Sequence, residues 1–225
     1  MKKFGFTLAE VLITLGIIGV VAALTMPTLL TKINEKIMVN KLKKFYSTMA
    51  QAIKLNEQEN PGTFYTIDHM LDTFTIKTIC TGSDTSCAPK TYKYYNGGNA
   101  DWGVKDQQLE KANYAILADG SIIRYTPKVS TNGINSGQCD GVFGTSEALS
   151  TVCSEVSVDL NGNKLPNTLG KDVFYFYITS LGVVPFGDKA STQKDASFKD
   201  CKSKGIGCAA YVLRFGTLDY NKNQF

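Results

Sequence analysis

A run of 20 residues without a charge, from Val11 to Leu30, follows the acidic residue Glu10 near the amino terminus. A helix of about 20 apolar residues is long enough to cross the hydrocarbon core of a bilayer. A carboxylate in lipid costs roughly 2.5–3.5 kcal/mol on insertion scales, so Glu10 is interpreted as a functional residue. The sequence therefore predicts a membrane-spanning helix with a carboxylate near its start, and this carboxylate requires a cationic partner.

The residues before the run carry a second signal. Lys2 and Lys3 precede Gly5, and Phe6 begins the segment Phe-Thr-Leu-Ala-Glu that ends at Glu10. This pattern resembles the class III signal of type IV pilins and type II secretion pseudopilins. The resemblance implies that the Gly5–Phe6 bond is cleaved, that Phe6 becomes the N-methylated terminus, and that Glu10 is the acidic assembly position.

Other amino-terminal signals fit less well. A secretory signal peptide is cleaved after its apolar region at a small-x-small site, and Val21 to Thr25 offers only a poor one. No cysteine lies near the run, so the sequence does not indicate a lipoprotein. A simple membrane anchor would leave Glu10 unexplained.

The charge pattern predicts the orientation in the membrane. The formal net charge of +4 includes Lys2 and Lys3, so the chain beginning at Phe6 is close to neutral and gives no indication of nucleic-acid binding. Positive charges before a membrane helix favour a cytoplasmic amino terminus. We therefore expect a single-pass protein of the bacterial inner membrane whose head is periplasmic and can be extruded into a filament.

The chain divides into an anchor, a helical extension and a head. Apolar residues recur at helical spacing in Thr31–Glu59, and Asn60-Pro61-Gly62 ends the pattern. The predicted segments are a leader (1–5), a transmembrane and assembly helix (6–30), an amphipathic extension (31–60) and a globular head (61–225). The long helix is expected to be loosened at Pro27, which lacks a backbone donor.

The predicted fold class is α+β, with the long amino-terminal helix packed on a small antiparallel sheet. Asp119-Gly120 between two strand-like segments is a strong hairpin signal. The expected strands are Tyr114–Ala118, Ser121–Tyr125, Val156–Leu160 and Val173–Thr179; short helices are expected at Ile67–Ile79 and Lys105–Asn113, and Tyr211–Phe215 is either strand or helix. The resemblance to pilins independently implies this architecture.

Six cysteines favour disulfides in an exported head. Six cysteines allow 15 connectivities, so the count alone leaves the pairing open. Proximity in sequence favours Cys80–Cys87, Cys139–Cys153 and Cys201–Cys208.

One segment has the composition of a calcium loop. Oxygen-bearing side chains alternate at Asp159, Asn161 and Asn163, and Asp172 follows. Calcium takes six to eight oxygen ligands, and the resemblance adds weight because several pseudopilins hold calcium in a late loop of the head. The pattern departs from an EF-hand in the position of Gly162, and a hydrogen-bonded Asx turn without a cofactor is the other interpretation.

Catalytic signals are weak. His69 is the one histidine, and no Gly-x-Ser-x-Gly elbow accompanies it. The resemblance implies a non-enzymatic subunit of a type II secretion pseudopilus or a type IV pilus, with the prepilin peptidase and methylase, other pilin-like subunits and the inner membrane as partners. The alternative is a membrane-anchored binding module, such as an adhesin or a DNA-uptake minor pilin.

Overall fold

A computed structural model gives the fold of the 225-residue chain. It describes residues 7–59, 70–80, 91–100, 113–125, 141–194 and 196–222, together with Gly5, Cys87 and Cys139. The chain forms two compact units, Met1–Ile37 and Met38–Phe225. These are called the first and second units below.

Helix α1 extends from Leu8 to Glu59 without interruption, through Pro27. The expected loosening at Pro27 does not break it. In the first unit, the apolar side chains of the helix are exposed: Leu24 is 73% and Leu12 is 61% accessible. Among the described residues, α1 is the one helix that is long and apolar enough to span a membrane. Apolar residues on all sides of a helix are what a bilayer requires.

In the second unit, α1 buries one face. Val39, Leu42, Phe45, Met49 and Ile53 are all at most 5% exposed, and their spacing of three or four residues places them on one side of a helix. The Phe45 ring lies 5.4 Å from that of Phe176. Burial of each such side chain contributes roughly 1.5–3 kcal/mol.

The partner of this helix face is a six-stranded antiparallel sheet with strand order β1-β4-β5-β6-β7-β8. A separate two-stranded sheet pairs β2 with β3. The strands are β1 (Ile76–Cys80), β2 (Tyr92–Lys93), β3 (Asn99–Ala100), β4 (Asn113–Leu117), β5 (Ile122–Tyr125), β6 (Val152–Asp159), β7 (Val173–Thr179) and β8 (Gly182–Pro185). Because side chains alternate along a strand, one face of the sheet supplies Val156, Val158, Phe174 and Phe176 to the same core.

The predicted hairpin joins β4 to β5, with Gly120 at φ +84°. This conformation is accessible to glycine without the Cβ penalty that other residues incur. The side-chain oxygen of Asp119 accepts a hydrogen bond from the Ser121 amide at 3.0 Å. The Asp-Gly signal therefore reflects local turn chemistry.

The predicted α+β class is confirmed, and one predicted element is wrong. The helix expected over Ile67–Ile79 ends early, because Ile76–Cys80 is strand β1, paired with β4. The β-branched residues Ile76, Thr78 and Ile79 favour a strand, and the apolar spacing was a misleading signal. The helix expected over Lys105–Asn113 lies outside the described residues except for Asn113, which begins β4.

Two short helices follow β8: α2 (Phe198–Cys201) and α3 (Ala209–Phe215). The segment Tyr211–Phe215, for which the sequence left strand and helix open, is therefore helical. Tyr211 is fully buried and stacks against Phe198 at 5.1 Å. Gly216, at φ +66°, ends α3 in the left-handed conformation common at helix C-termini.

Three disulfides join cysteines that are neighbours in sequence: Cys80–Cys87, Cys139–Cys153 and Cys201–Cys208. Cys201 and Cys208 are fully buried and link α2 to the start of α3. Disulfides in small exported domains typically contribute about 2–4 kcal/mol each, largely by restricting the unfolded chain.

Candidate functional site at the amino terminus

Thr7 and Glu10 form a reciprocal cap at the start of α1. The Thr7 amide donates to Glu10 Oε2 at 2.8 Å, and the Glu10 amide donates to Thr7 Oγ1 at 3.3 Å. The Thr7 hydroxyl adds a third bond to Glu10 Oε2 at 2.7 Å. This is the capping box, in which Thr at the N-cap and Glu three residues later each satisfy an amide that has no partner within the helix.

The cap gives Glu10 a defined geometry. Its side chain is exposed on the helix, and both donors of Thr7 bond to Oε2. Within the described part of the chain, no hydrogen bond to Oε1 is made. Glu10 can therefore keep its hydrogen bonds with Thr7 through Oε2 while Oε1 accepts a hydrogen bond from a cation elsewhere.

Sequence reasoning assigned Glu10 but missed Thr7. The signal was present, because a Thr followed three residues later by Glu at the start of an apolar run is a helix N-terminus signature. Phe6 lies outside the described residues, whereas Gly5 is described. A Cβ added at Gly5 would meet no atom within 4 Å, so the chain's own fold does not require glycine there.

The loop that was predicted to bind calcium is organised around Asp159. This carboxylate is fully buried, and its Oδ1 accepts bonds from the amides of Asn161 at 3.1 Å and Gly162 at 2.8 Å. Its Oδ2 accepts a bond from the Tyr92 hydroxyl at 2.9 Å. Gly162 has φ +59°, and a Cβ there would collide with the Gly120 carbonyl oxygen. The arrangement is an Asx turn that also fastens the loop to β2.

The other three predicted ligands have separate environments. The side-chain amide of Asn161 donates to the Lys164 carbonyl at 2.8 Å, and Asp172 Oδ2 accepts a bond from the Thr168 amide at 2.9 Å. Asn163 is exposed. Among the described residues, no group of three or more His, Cys, Asp or Glu side chains is placed to hold a metal. Calcium binding by Asp159, Asn161, Asn163 and Asp172 stays an untested hypothesis.

Burial dominates the electrostatics of this loop. It raises the pKa of Asp159 to about 7, although bonds from Tyr92, Gly162 and Asn161 act in the opposite direction. Burial likewise raises the pKa of Asp172 to about 6, against the bond from the Thr168 amide. Both carboxyls are thus easier to protonate in the folded chain than in the unfolded chain.

We expect the protein to become more stable as pH falls from 8 towards 5. A carboxyl with a raised pKa in the folded state contributes most stability below its unfolded pKa of about 4, and this contribution is lost as pH rises through the folded value. The melting temperature of the processed chain in detergent micelles should rise by about 5 °C or more over this range. The variant Asp159→Asn, which imitates the protonated acid, should flatten the rise, and an unchanged pH dependence in that variant would contradict the assignment.

The same melting experiment tests the cation hypothesis. If Asp159 and Asp172 are calcium ligands, added calcium at pH 8 should raise the melting temperature and Asp159→Ala should abolish the response. Since both Asp159 oxygens already accept bonds from the protein, we expect calcium to have no effect. A calcium-dependent rise in the native chain would instead establish the site.

Two protein-family models match separate parts of the chain. Residues 1–26 match the model of the Prokaryotic N-terminal methylation motif. Residues 28–199 match the model of a Family of unknown function (DUF6613). No curated protein and no solved structure matches the chain.

The methylation motif, the capped apolar helix and the disulfide-bonded α+β unit define a pilin-like protein with a prepilin signal. Within that class, the chain belongs to the DUF6613 family, which covers most of its length.

Proposed function

We propose that this protein is a structural, non-enzymatic subunit of a type II secretion pseudopilus or a type IV pilus. The observation that carries the proposal is the capped Glu10 at the start of a helix that is long and apolar enough to span a membrane. Glu10 lies within the match to the amino-terminal methylation motif. The prepilin peptidase would cleave after Gly5 and methylate the new amine of Phe6. The exposed apolar helix would then serve first as membrane anchor and later as part of a filament core.

Glu10 would direct assembly through its second oxygen. A free amine at Phe6 of a neighbouring subunit is a cation of the right kind to bond Oε1, while Thr7 continues to bond Oε2. Two unpaired charges in an apolar core are each costly, and pairing offsets much of that cost. The pairing would therefore favour one axial position of an incoming subunit over the others.

The leader charges and the disulfides support the same topology. Lys2 and Lys3 favour a cytoplasmic amino terminus, and the second unit would then lie in the periplasm. Disulfides persist in that oxidising compartment, and all six cysteines are paired in the structure.

Filament recovery tests the proposal. Cells that express the chain together with an assembly machinery are sheared, and the sheared fraction is analysed for the processed protein. We expect the chain in that fraction only when the prepilin peptidase is present. Retention of a fully processed chain in the membrane, with none in filaments of any kind, would contradict the proposed function.

A further inference from the structure

A cavity of about 220 Å³ lies in the second unit between α1 and the β4–β5 hairpin. Its apolar lining comes from Phe45, Phe74, Leu117 and Leu160. A cavity of about 150 Å³ in another protein accommodates benzene. The space here is therefore sufficient for a branched aliphatic side chain.

The rim of the cavity carries an excess of positive charge. Lys41 Nζ donates to the Leu160 carbonyl at 2.7 Å and lies 3.7 Å from Asp119 Oδ2, so these two charges offset one another. Lys44 also lines the cavity and is exposed. Lys44 also interacts electrostatically with Asp119, so two lysines share this one carboxylate and a net positive charge remains. An occupant with an acidic group beside an apolar one would complement this rim.

The same unit presents such a pair of groups. Leu181 lies at the turn between β7 and β8 and is 60% exposed. The turn is fixed by Thr179, whose hydroxyl accepts a bond from the Leu181 amide at 3.2 Å and donates to the Gly182 carbonyl at 2.9 Å. A fixed turn loses little conformational entropy when its tip is bound.

An acidic residue accompanies Leu181. The Ser180 hydroxyl bonds the Thr151 hydroxyl at 2.8 Å, and Thr151 Oγ1 lies 3.3 Å from the Glu147 carbonyl oxygen. Glu147 is exposed and makes no ion pair among the residues that the structure describes. The exposed tip Leu181 and the exposed acidic residue Glu147 thus lie in segments that are joined through the backbone carbonyl of Glu147.

The cavity and the Leu181 turn lie at opposite ends of the sheet. At one end of the β6–β7 pair Val152 lies opposite Thr179, next to the Leu181 turn; at the other, Asp159 lies opposite Val173, next to Leu160. Six residue steps along a strand separate these ends by about 20 Å. A copy cannot fill its own cavity, and two copies joined this way meet head to tail.

We propose that Leu181 of one copy inserts into the cavity lined by Phe45 and Leu117 of a second copy, with Glu147 of the first facing Lys44 of the second. Such a contact uses two different surfaces, and a repeated heterologous contact that does not close produces an open filament. The proposal rests on the proposed function and adds to it a specific contact between second units.

Leucine-to-aspartate variants of the full-length chain test the contact. The readout is the ratio of filament-bound to membrane-retained protein in cells that carry the assembly machinery. Leu181→Asp should lower this ratio about tenfold or more, because it removes a buried apolar group and brings a charge into the cavity. Leu165→Asp is the matched control: Leu165 is 71% exposed and does not line the cavity, so the ratio should stay within about twofold.

Charge reversal gives a second test that does not depend on Leu181. Lys44→Glu and Glu147→Lys should each lower the ratio about threefold, whereas the double variant should recover it, as exposed pairs are individually weak. Unchanged melting temperatures show that the variants fold. Wild-type ratios for Leu181→Asp and for both single reversals would overturn the contact and leave the proposed function intact. Absence of the unaltered chain from every filament would reject both.

Discussion

Replacing Gly5 with valine is expected to leave the chain as an unprocessed, unmethylated precursor. A Cβ added at this position would meet no atom within 4 Å, so we expect the fold to tolerate the larger side chain. The prepilin peptidase, in contrast, must bind the backbone on both sides of the bond. A clash of about 3 kcal/mol in that bound state would lower cleavage about a hundredfold.

Intact mass of the membrane-extracted variant measures this directly. Gly5→Ala is the matched control. Because alanine has the smaller side chain, the peptidase should cleave this variant faster than Gly5→Val. The melting temperature of Gly5→Val should equal that of the native precursor. Efficient removal of Met1–Gly5 from the valine variant would show that the glycine is not read by the peptidase.

Replacing Glu10 with valine is expected to abolish incorporation into filaments while leaving the chain in the membrane. The change removes a charge that costs energy in lipid, so membrane insertion should improve. It also leaves the amine of a neighbouring Phe6 without its proposed partner, and an uncompensated buried charge costs about 3–5 kcal/mol. Incorporation should therefore fall by a factor of about a hundred or more.

Two further variants separate the roles of Glu10 as cap and as ion partner. Glu10→Gln can preserve the reciprocal bonds with Thr7, because glutamine also forms a capping box, but it has no charge. Thr7→Val removes the hydroxyl that contacts both the Glu10 amide and Glu10 Oε2 and leaves the charge. We expect Glu10→Gln to fail nearly as completely as valine and Thr7→Val to lose less. Normal incorporation of Glu10→Gln would assign Glu10 a capping role alone.

The elements predicted well from sequence are those determined by local chemistry. The uncharged run and the amphipathic spacing after it specified a single long helix, observed from Leu8 to Glu59. Asp119-Gly120 specified the β4–β5 hairpin, and a run of aromatic residues flanked by β-branched residues placed β7 at Val173–Thr179. Each of these signals lies within a few residues of the structure it produces.

The elements that were missed depend on contacts distant in sequence. Strand β8 is short and contains Pro185, which disfavours a strand in the sheet interior, and it is defined by its pairing with β7. Strand β1 followed a helix-like apolar pattern but pairs with β4. The Asp159 carboxylate bonds to Tyr92, which lies 67 positions away. This contact cannot be read from the loop itself, and the composition of the loop alone suggested a cation site.

The mass of the native chain tests the central claim most directly. The protein is extracted from membranes of a cell that contains a prepilin peptidase, and its intact mass and its first residue are determined. The account predicts a chain that lacks Met1–Gly5, begins at Phe6 and carries one added methyl group on its terminal amine. A native chain that retains Met1–Gly5, or that begins at any residue other than Phe6, would contradict it.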